Sequence, residues 1–318
     1  MLVDYLKKLL KFLPIIGVVL FIYLIYDIGP NKILNAFSSI SYYYFIFANI
    51  PLIPFLLLMS YKWQYISKKQ KINLSFNYFV KLSLIHLFYI HVIPAGIGGY
   101  VRIFYLKKKT KATLEKCIVN MLLDSTTGSI IGFLIAVIGS FVIIDAFPGF
   151  FPVLLGFFIF NLTTFLILMK KSSGTKIFNF FIRPLIPKKY KEKLGKSFES
   201  FYIDLPRLRD TIIPFIMEIG IWICLGLEVY IISLAFSLNI PFHMFILIHT
   251  ISVVIIFILP ISIGGLGVRE GAFVLMLNSL YGVEKEIALV ISLSGYIVKM
   301  LAPTILGLIL TIKDRKEI

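Results

Sequence analysis

The chain has 318 residues, 59% of them hydrophobic and 15% charged, with a formal net charge of +16. A soluble domain carries about 25% charged residues, so most of this chain cannot form one. Period-2 alternation, the mark of a membrane β-barrel, is absent. The expected fold class is therefore an all-α integral membrane protein, whose backbone polar groups are satisfied within helices.

In chain order, the first apolar stretch covers 9–28 and ends in Tyr26-Asp27-Ile28-Gly29-Pro30. That is not a small-x-small cleavage site, so the stretch reads as a retained span. The second covers 42–61, with Pro51 and Pro54 placed to kink it. The third, 74–93, is broken by Pro94-Ala95-Gly96-Ile97-Gly98-Gly99 and resumes only over 100–106. Spans follow at 117–144 and 151–169, then a basic stretch at 170–210. In that stretch Leu194, Phe198, Phe201 and Leu205 share one helical face, the pattern of a helix lying on a membrane surface. The second half opens with a span at 211–238. The next stretch, 242–259, is broken by Pro260-Ile261-Ser262-Ile263-Gly264-Gly265-Leu266-Gly267 and resumes over 268–280, and the last span covers 286–312. The expected organisation is a membrane half at 1–169, a basic loop at 170–210 and a second membrane half at 211–318. Each full span approaches the ~20 residues that cross a hydrocarbon core.

Basic residues orient these segments. Loops at 1–11, 62–73, 107–116, 170–210 and the tail carry 26 of them, Lys62 counted with the second; the opposing loops hold only Lys32 and Lys285. The positive-inside rule then puts the N-terminus, the central stretch and the C-terminus in the cytoplasm of a cell-membrane protein. This also accounts for the +16 without nucleic acid as a partner. Both loops flanking the first broken stretch are basic, so that stretch is expected to enter and return as a re-entrant hairpin. The stretch broken at Pro260 is flanked by loops poor in positive charge and is expected to do the same from the other side. The count is six full spans plus two re-entrant hairpins, eight membrane segments in an inverted repeat.

The two breaks share Pro-x-x-Ile-Gly-Gly, followed by Arg102 in one copy and Arg269 in the other. Paired Gly/Pro-interrupted segments in inverted halves point to a transporter site near the midplane; close helix packing is the alternative use of such glycines. Eight charged residues remain outside the loops: Lys81, Arg102, Arg269 and Lys299 against Asp124, Glu218, Glu228 and Glu270. Charge at membrane depth is costly and reads as functional. Lys81 and Glu228 are the weakest candidates, being near enough to an interface to snorkel. An Arg after a Gly-rich break suits a phosphate, through its planar fork and the free N–H groups of a helix start. Its structural alternative is a pair with Asp124 or Glu218. Arg269 and Glu270, being adjacent, are expected to have different partners. Glycines 98, 99, 264 and 265 are expected to need close backbone approach or positive φ. His86, His91, His243 and His249 form no metal motif, and Cys117 and Cys224 are isolated thiols.

Leu259-Pro-Ile-Ser-Ile-Gly-Gly-Leu-Gly-Val-Arg-Glu270 resembles the Gly-Gly-x-Gly-x-Arg-Glu signature of the lysylphosphatidylglycerol synthase transmembrane region, and Ile93-Pro-Ala-Gly-Ile-Gly-Gly-Tyr-Val-Arg102 resembles that family's earlier element. Family members often carry an Arg near the acidic residue of the following span; here Asn120-Met-Leu-Leu-Asp124 has the Asp without the Arg. The resemblance implies a flippase-like protein that moves lipids or lipid-linked groups between leaflets. The soluble domain that makes the lipid in the synthases has no counterpart here. The leading expectation is a transporter of an anionic headgroup, bound by Arg102, Arg269, Glu270 and the glycines at 98, 99, 264, 265 and 267. Pro94 and Pro260 break the helices, and Asp124, Glu218 and Lys299 balance charge or relay protons. The alternatives are an intramembrane transferase on a lipid-linked substrate, or a non-catalytic membrane subunit beside a separate enzyme that modifies aminoacyl-lipids or glycolipids. Membrane lipids are the expected partners, and neither a metal nor a cofactor is implied. Oligomeric state is left open.

Overall fold

The computed structural model describes residues 16–93, 98–177, 179–180, 199–259, 261–262 and 265–316. Pro94, Pro260, Gly264, and Leu194 and Phe198 of the expected surface helix lie outside the described residues, as do residues 9–15 of the first span. The regular elements among the described residues are all helices, with no strand among them. Helices α1 (Ile16–Ile28) and α2 (Pro30–Ser39) are followed by α3 (Tyr42–Phe47), α4 (Leu52–Lys69), α5 (Phe76–Val92), α6 (Val101–Lys109), α7 (Leu114–Val142), α8 (Phe150–Met169) and α9 (Lys171–Ile177). The second half holds α10 (Ile212–Ser233), α11 (Phe242–Ile258), α12 (Val268–Tyr281) and α13 (Lys285–Lys316).

Five helical segments are long and apolar enough to cross a membrane: Tyr42–Lys69, Leu114–Val142, Phe150–Met169, Leu208–Phe236 and Lys285–Asp314. The pair α1–α2 makes a sixth if counted as one span, but it bends by 82°. The bend follows from Gly29, at φ +97°, and Pro30, which opens α2. The first expected span ends at Ile28, so α2 is an element beyond it that the apolar pattern does not mark. The kink expected from Pro51 and Pro54 is the turn between α3 and α4, where Pro51 precedes the first residue of α4.

Ion pairs show which loops share an end. Helix α13 is about 45 Å long between Lys285 and Asp314, at about 1.5 Å per residue. Lys285 pairs with Asp27 at 2.9 Å, and Asp314 pairs with Lys81. At the Asp314 end, Lys69 bonds Asp210 at 2.8 Å, and Asp204 holds both Lys71 and Lys116. The basic loops after α4 and after α6 thus meet at one end. Helices α5 and α6 run antiparallel between them, with Tyr78 beside Tyr105 and Lys109 and with His86 beside Gly99. Phe201 and Leu205, from the expected amphipathic face, pack on Ile66, Val119, Leu123 and Phe165.

One set of helix contacts occurs twice. Helix α4 packs on α5, α5 on α6, α6 on α7 and α4 on α7; likewise α10 packs on α11, α11 on α12, α12 on α13 and α10 on α13. The halves interlock through α5 on α13, α7 on α11 and α4 on α10. Helix α11, 17 residues long, is apolar yet central: Phe245, Ile248 and Ile251 are fully buried against α7, α10 and α12. Helix α8 buries little of its length and presents its apolar surface outward.

Candidate functional site: two buried charge clusters

The first cluster is tied by bonds between different helices. Arg102 sits at the start of α6, after a single turn formed by Gly98, Gly99 and Tyr100. Its guanidinium pairs with Asp124 of α7, donates to the Met121 carbonyl at 3.2 Å and to the Ser125 hydroxyl at 2.7 Å, and lies 5.3 Å from the Trp63 ring. Lys62 of α4 closes the set. Its ammonium is 2.8 Å from the Asp124 carboxylate, donates to the Asp124 carbonyl at 3.0 Å, and pairs with Glu218 of α10. Both carboxylates are buried, and so are both cations. Beside them Trp63 donates to Asn120 at 2.6 Å, and Asn120 donates to Ser67 and Gln70.

Lys62 corrects the sequence reading, which assigned it to a cytoplasmic loop. Helix α4 continues to Lys69, and Lys62 is only 3% exposed, about 10 Å along the helix from that end. Hydropathy stops at the first lysine, but helical period does not. Ser60, Trp63, Ser67 and Gln70 continue one helical face at spacings of three and four, all four buried, and that face was the available signal.

The second cluster is built on α12, α10, α11 and α13. Gly267, at φ +83°, turns the chain into α12, and a Cβ there would lie 2.2 Å from the Gly17 carbonyl oxygen of α1, so only glycine fits. Gly265 is likewise at positive φ. Glu270 accepts the Gly267 N–H at 2.8 Å, reaching back from the third helical position to the cap. Its other oxygen pairs with Arg269. Adjacent residues expected to have different partners therefore bond each other, because the arginine side chain is long enough to fold across to the carboxylate. Of the two carboxylates expected as arginine partners, Asp124 pairs with Arg102 as well as Lys62, whereas Glu218 pairs with Lys62 and neither reaches Arg269. Arg269 also lies 4.1 Å from the Tyr296 ring centroid, in cation–π range.

Lys299 lies about 21 Å along α13 from Lys285 and about 22 Å from Asp314, close to the middle of the span. It is within electrostatic reach of Glu228 and Arg269, but no carboxylate among the described residues forms an ion pair with it. Glu228, expected near an interface, is 2% exposed, and its Oε1 has no hydrogen-bond partner. Buried His249 Nε2 and Ser294 Oγ are also unpartnered. His91, which feels both Lys299 and Arg269, bonds Thr304 at 3.1 Å and stands edge-on to Tyr296. No group of three metal-ligating side chains occurs among the described residues.

Sequence comparison gives the family. The model of the lysylphosphatidylglycerol synthase TM region matches residues 9–307. The chain belongs to this family. A UPF0104 membrane protein of Methanocaldococcus jannaschii is 24% identical over 308 residues, covering 92% of this chain and 90% of its own length. A UPF0104 membrane protein of Methanothermobacter thermautotrophicus is 30% identical over 119 residues, 37% of this chain and 33% of its own. Family membership makes this a multi-pass helical membrane protein, and the matched region includes both arginine-bearing breaks and every member of the two charge clusters.

Proposed function

We propose that this protein moves an anionic lipid, or a lipid-linked anionic headgroup, between the leaflets of the cell membrane. The observation that carries the reading is the second cluster: a mid-span lysine with no carboxylate ion-paired to it among the described residues, beside an arginine held on an aromatic face and a carboxylate oxygen with no donor among them. A cation left unbonded at membrane depth is expensive unless something charged visits it. A headgroup phosphate would take the free Lys299 ammonium and the outer face of the Arg269 fork. Glu228 and Glu270 would offset the positive charge when the headgroup is absent.

The doubled contact set supports an inverted repeat, with α4–α7 and α10–α13 as its units. In this reading α5–α6 and α11–α12 are the two re-entrant hairpins, entering from opposite sides and meeting near the midplane. The basic end is cytoplasmic. Rocking of one unit against the other would open the second cluster alternately to each leaflet, as in other inverted-repeat carriers.

The test is leaflet exchange in proteoliposomes containing the purified full chain. Fluorescent phosphatidylglycerol should become accessible to an impermeant quencher faster than in protein-free vesicles. Lys299→Ala and Arg269→Lys should slow exchange at least tenfold while folded yield stays near wild type, since arginine's bidentate geometry is not replaced by lysine. Exchange no faster than in empty vesicles, or unchanged by both substitutions, would remove the proposal. Recovery of a covalently altered lipid would favour the transferase reading instead.

A further inference from the structure

At the basic end, the loop after α4 and the turn between α6 and α7 enclose a cleft of about 370 Å³. Four lysines line it, Lys71, Lys109, Lys111 and Lys116, with Asn73 and Thr110 between them. Asp204 bonds Lys116 at 2.8 Å and also holds Lys71. Lys109 lies over the Tyr78 ring at 5.9 Å, and neither it nor Lys111 pairs with a carboxylate among the described residues. Lys116 stands in the first turn of α7, a 29-residue helix whose N-terminus Thr113 caps by accepting the Lys116 N–H. Positive charge in a helix's first turn is unfavourable, because the backbone dipole already presents positive charge there. Four ammoniums therefore converge on a cavity large enough for a polar headgroup, with the Asp204 carboxylate shared by two of them and Glu115 beside Lys116 in the first turn of α7.

We infer that this cleft is a binding site for a phosphate-bearing polyanion, either the phosphomonoester headgroup of a lipid in the adjacent leaflet or a soluble phosphate compound. A dianionic phosphate offers three acceptor oxygens and enough charge to answer Lys109 and Lys111, the two lysines that Asp204 does not hold. Asp204 occupies the two remaining lysines at the rim and, at φ +57°, is held in a backbone conformation that aspartate adopts only at a cost. The site is separate from the two intramembrane clusters: Arg102 is about 10 Å along α6 from Lys109. It does not depend on the transport reading.

The test is native mass spectrometry of the full chain in detergent at low salt, titrated with phosphatidic acid, phosphatidylcholine or inorganic pyrophosphate. Phosphatidic acid should bind in preference to phosphatidylcholine. Lys109→Ala/Lys111→Ala should weaken it about 30-fold, from two lysines at a membrane-surface site. Lys32→Ala, at the opposite end, should leave binding unchanged. Pyrophosphate that competes assigns the site to phosphate as such. Pyrophosphate that does not compete assigns it to the lipid headgroup, and pyrophosphate binding without phosphatidic acid assigns it to a soluble compound. Equal affinity in the double variant and wild type for both probes, or no binding by either, overturns the inference. Lys109→Arg/Lys111→Arg, which keeps the charge, should bind like wild type, so a loss caused by misfolding is distinguishable.

Discussion

Arg102 and Arg269 stand at matching places, each at the foot of a helix that resumes after a broken stretch, yet their surroundings differ. Around Arg102 every charge is bonded across helices: α6 to α7, and α4 to both α7 and α10. Around Arg269 the one bonded pair joins neighbours in sequence, and Lys299 and Glu228 stay apart from it. The first arrangement behaves as a cross-link that fixes four helices. The second fixes only its own helix start and leaves a cation, a carboxylate oxygen and an imidazole nitrogen open. Related sequence elements have thus been given one structural and one open environment, and the partners decide which.

The largest effect that would break this comparison is all-or-none. In a Cys117→Ser/Cys224→Ser background, a cysteine at Lys109 should be shielded from impermeant thiol reagents added outside cells, and one at Glu284 should react fully. External labelling at Lys109 would mean that α5 and α6 together cross the membrane, and the two clusters would lose their inverted relation.

Stability comes next. Lys62→Ala strips two buried carboxylates of their shared cation and should cost about 3–5 kcal/mol, by analogy with broken buried pairs in soluble proteins. Lys62→Met/Glu218→Gln removes both signs and should recover most of that loss, because Asp124 keeps Arg102. Lys299→Ala should change thermal stability in detergent by less than about 1 kcal/mol, the scale of a substitution that breaks no bonded pair. Equal losses for Lys62→Ala and Lys299→Ala would erase the distinction between a fixed and an open cluster.

The smallest effect is at the basic end, outside the membrane. Hydrogen bonds from Lys116 and Lys71 hold the Asp204 carboxyl below its usual range, and the bond from Lys69 does the same for Asp210. A depressed folded-state value contributes stability above the ordinary carboxylate pKa of about 3.9, and that contribution is lost as pH falls through the lowered value. Proteolysis of the central stretch should therefore rise only in acid below about pH 4, and Asp204→Asn should bring the increase to neutral pH. A pH-independent cleavage rate in wild type would show that these exposed pairs hold nothing.

Much of this was legible before any coordinates. The long spans emerged because apolar length is a local property. The paired breaks, their arginines and Asp124, Glu218, Glu270 and Lys299 were visible as charge inside apolar stretches. Lys62 was missed because a hydropathy window ends at a charge, whereas a helix ends where its backbone ends. Glu228 was underrated because distance from a span's end does not report which face meets the bundle.

The sequence by itself determined the class, the five long spans, the basic end and the two arginine-bearing breaks, since all of these depend on residues close together in the chain. Only the tertiary structure decided pairing. Lys62 is 62 residues from Asp124 and 156 from Glu218, and nothing local selects among the eight candidate charges. Packing of α4 against both α7 and α10 brings those three side chains together. Packing of α13 against α12 and α10 puts Lys299 near Arg269 and Glu228 without an ion pair. An ion pair forms only when nitrogen and oxygen come within about 4 Å, so which charges are bonded and which stay open is set by helix neighbours rather than by composition.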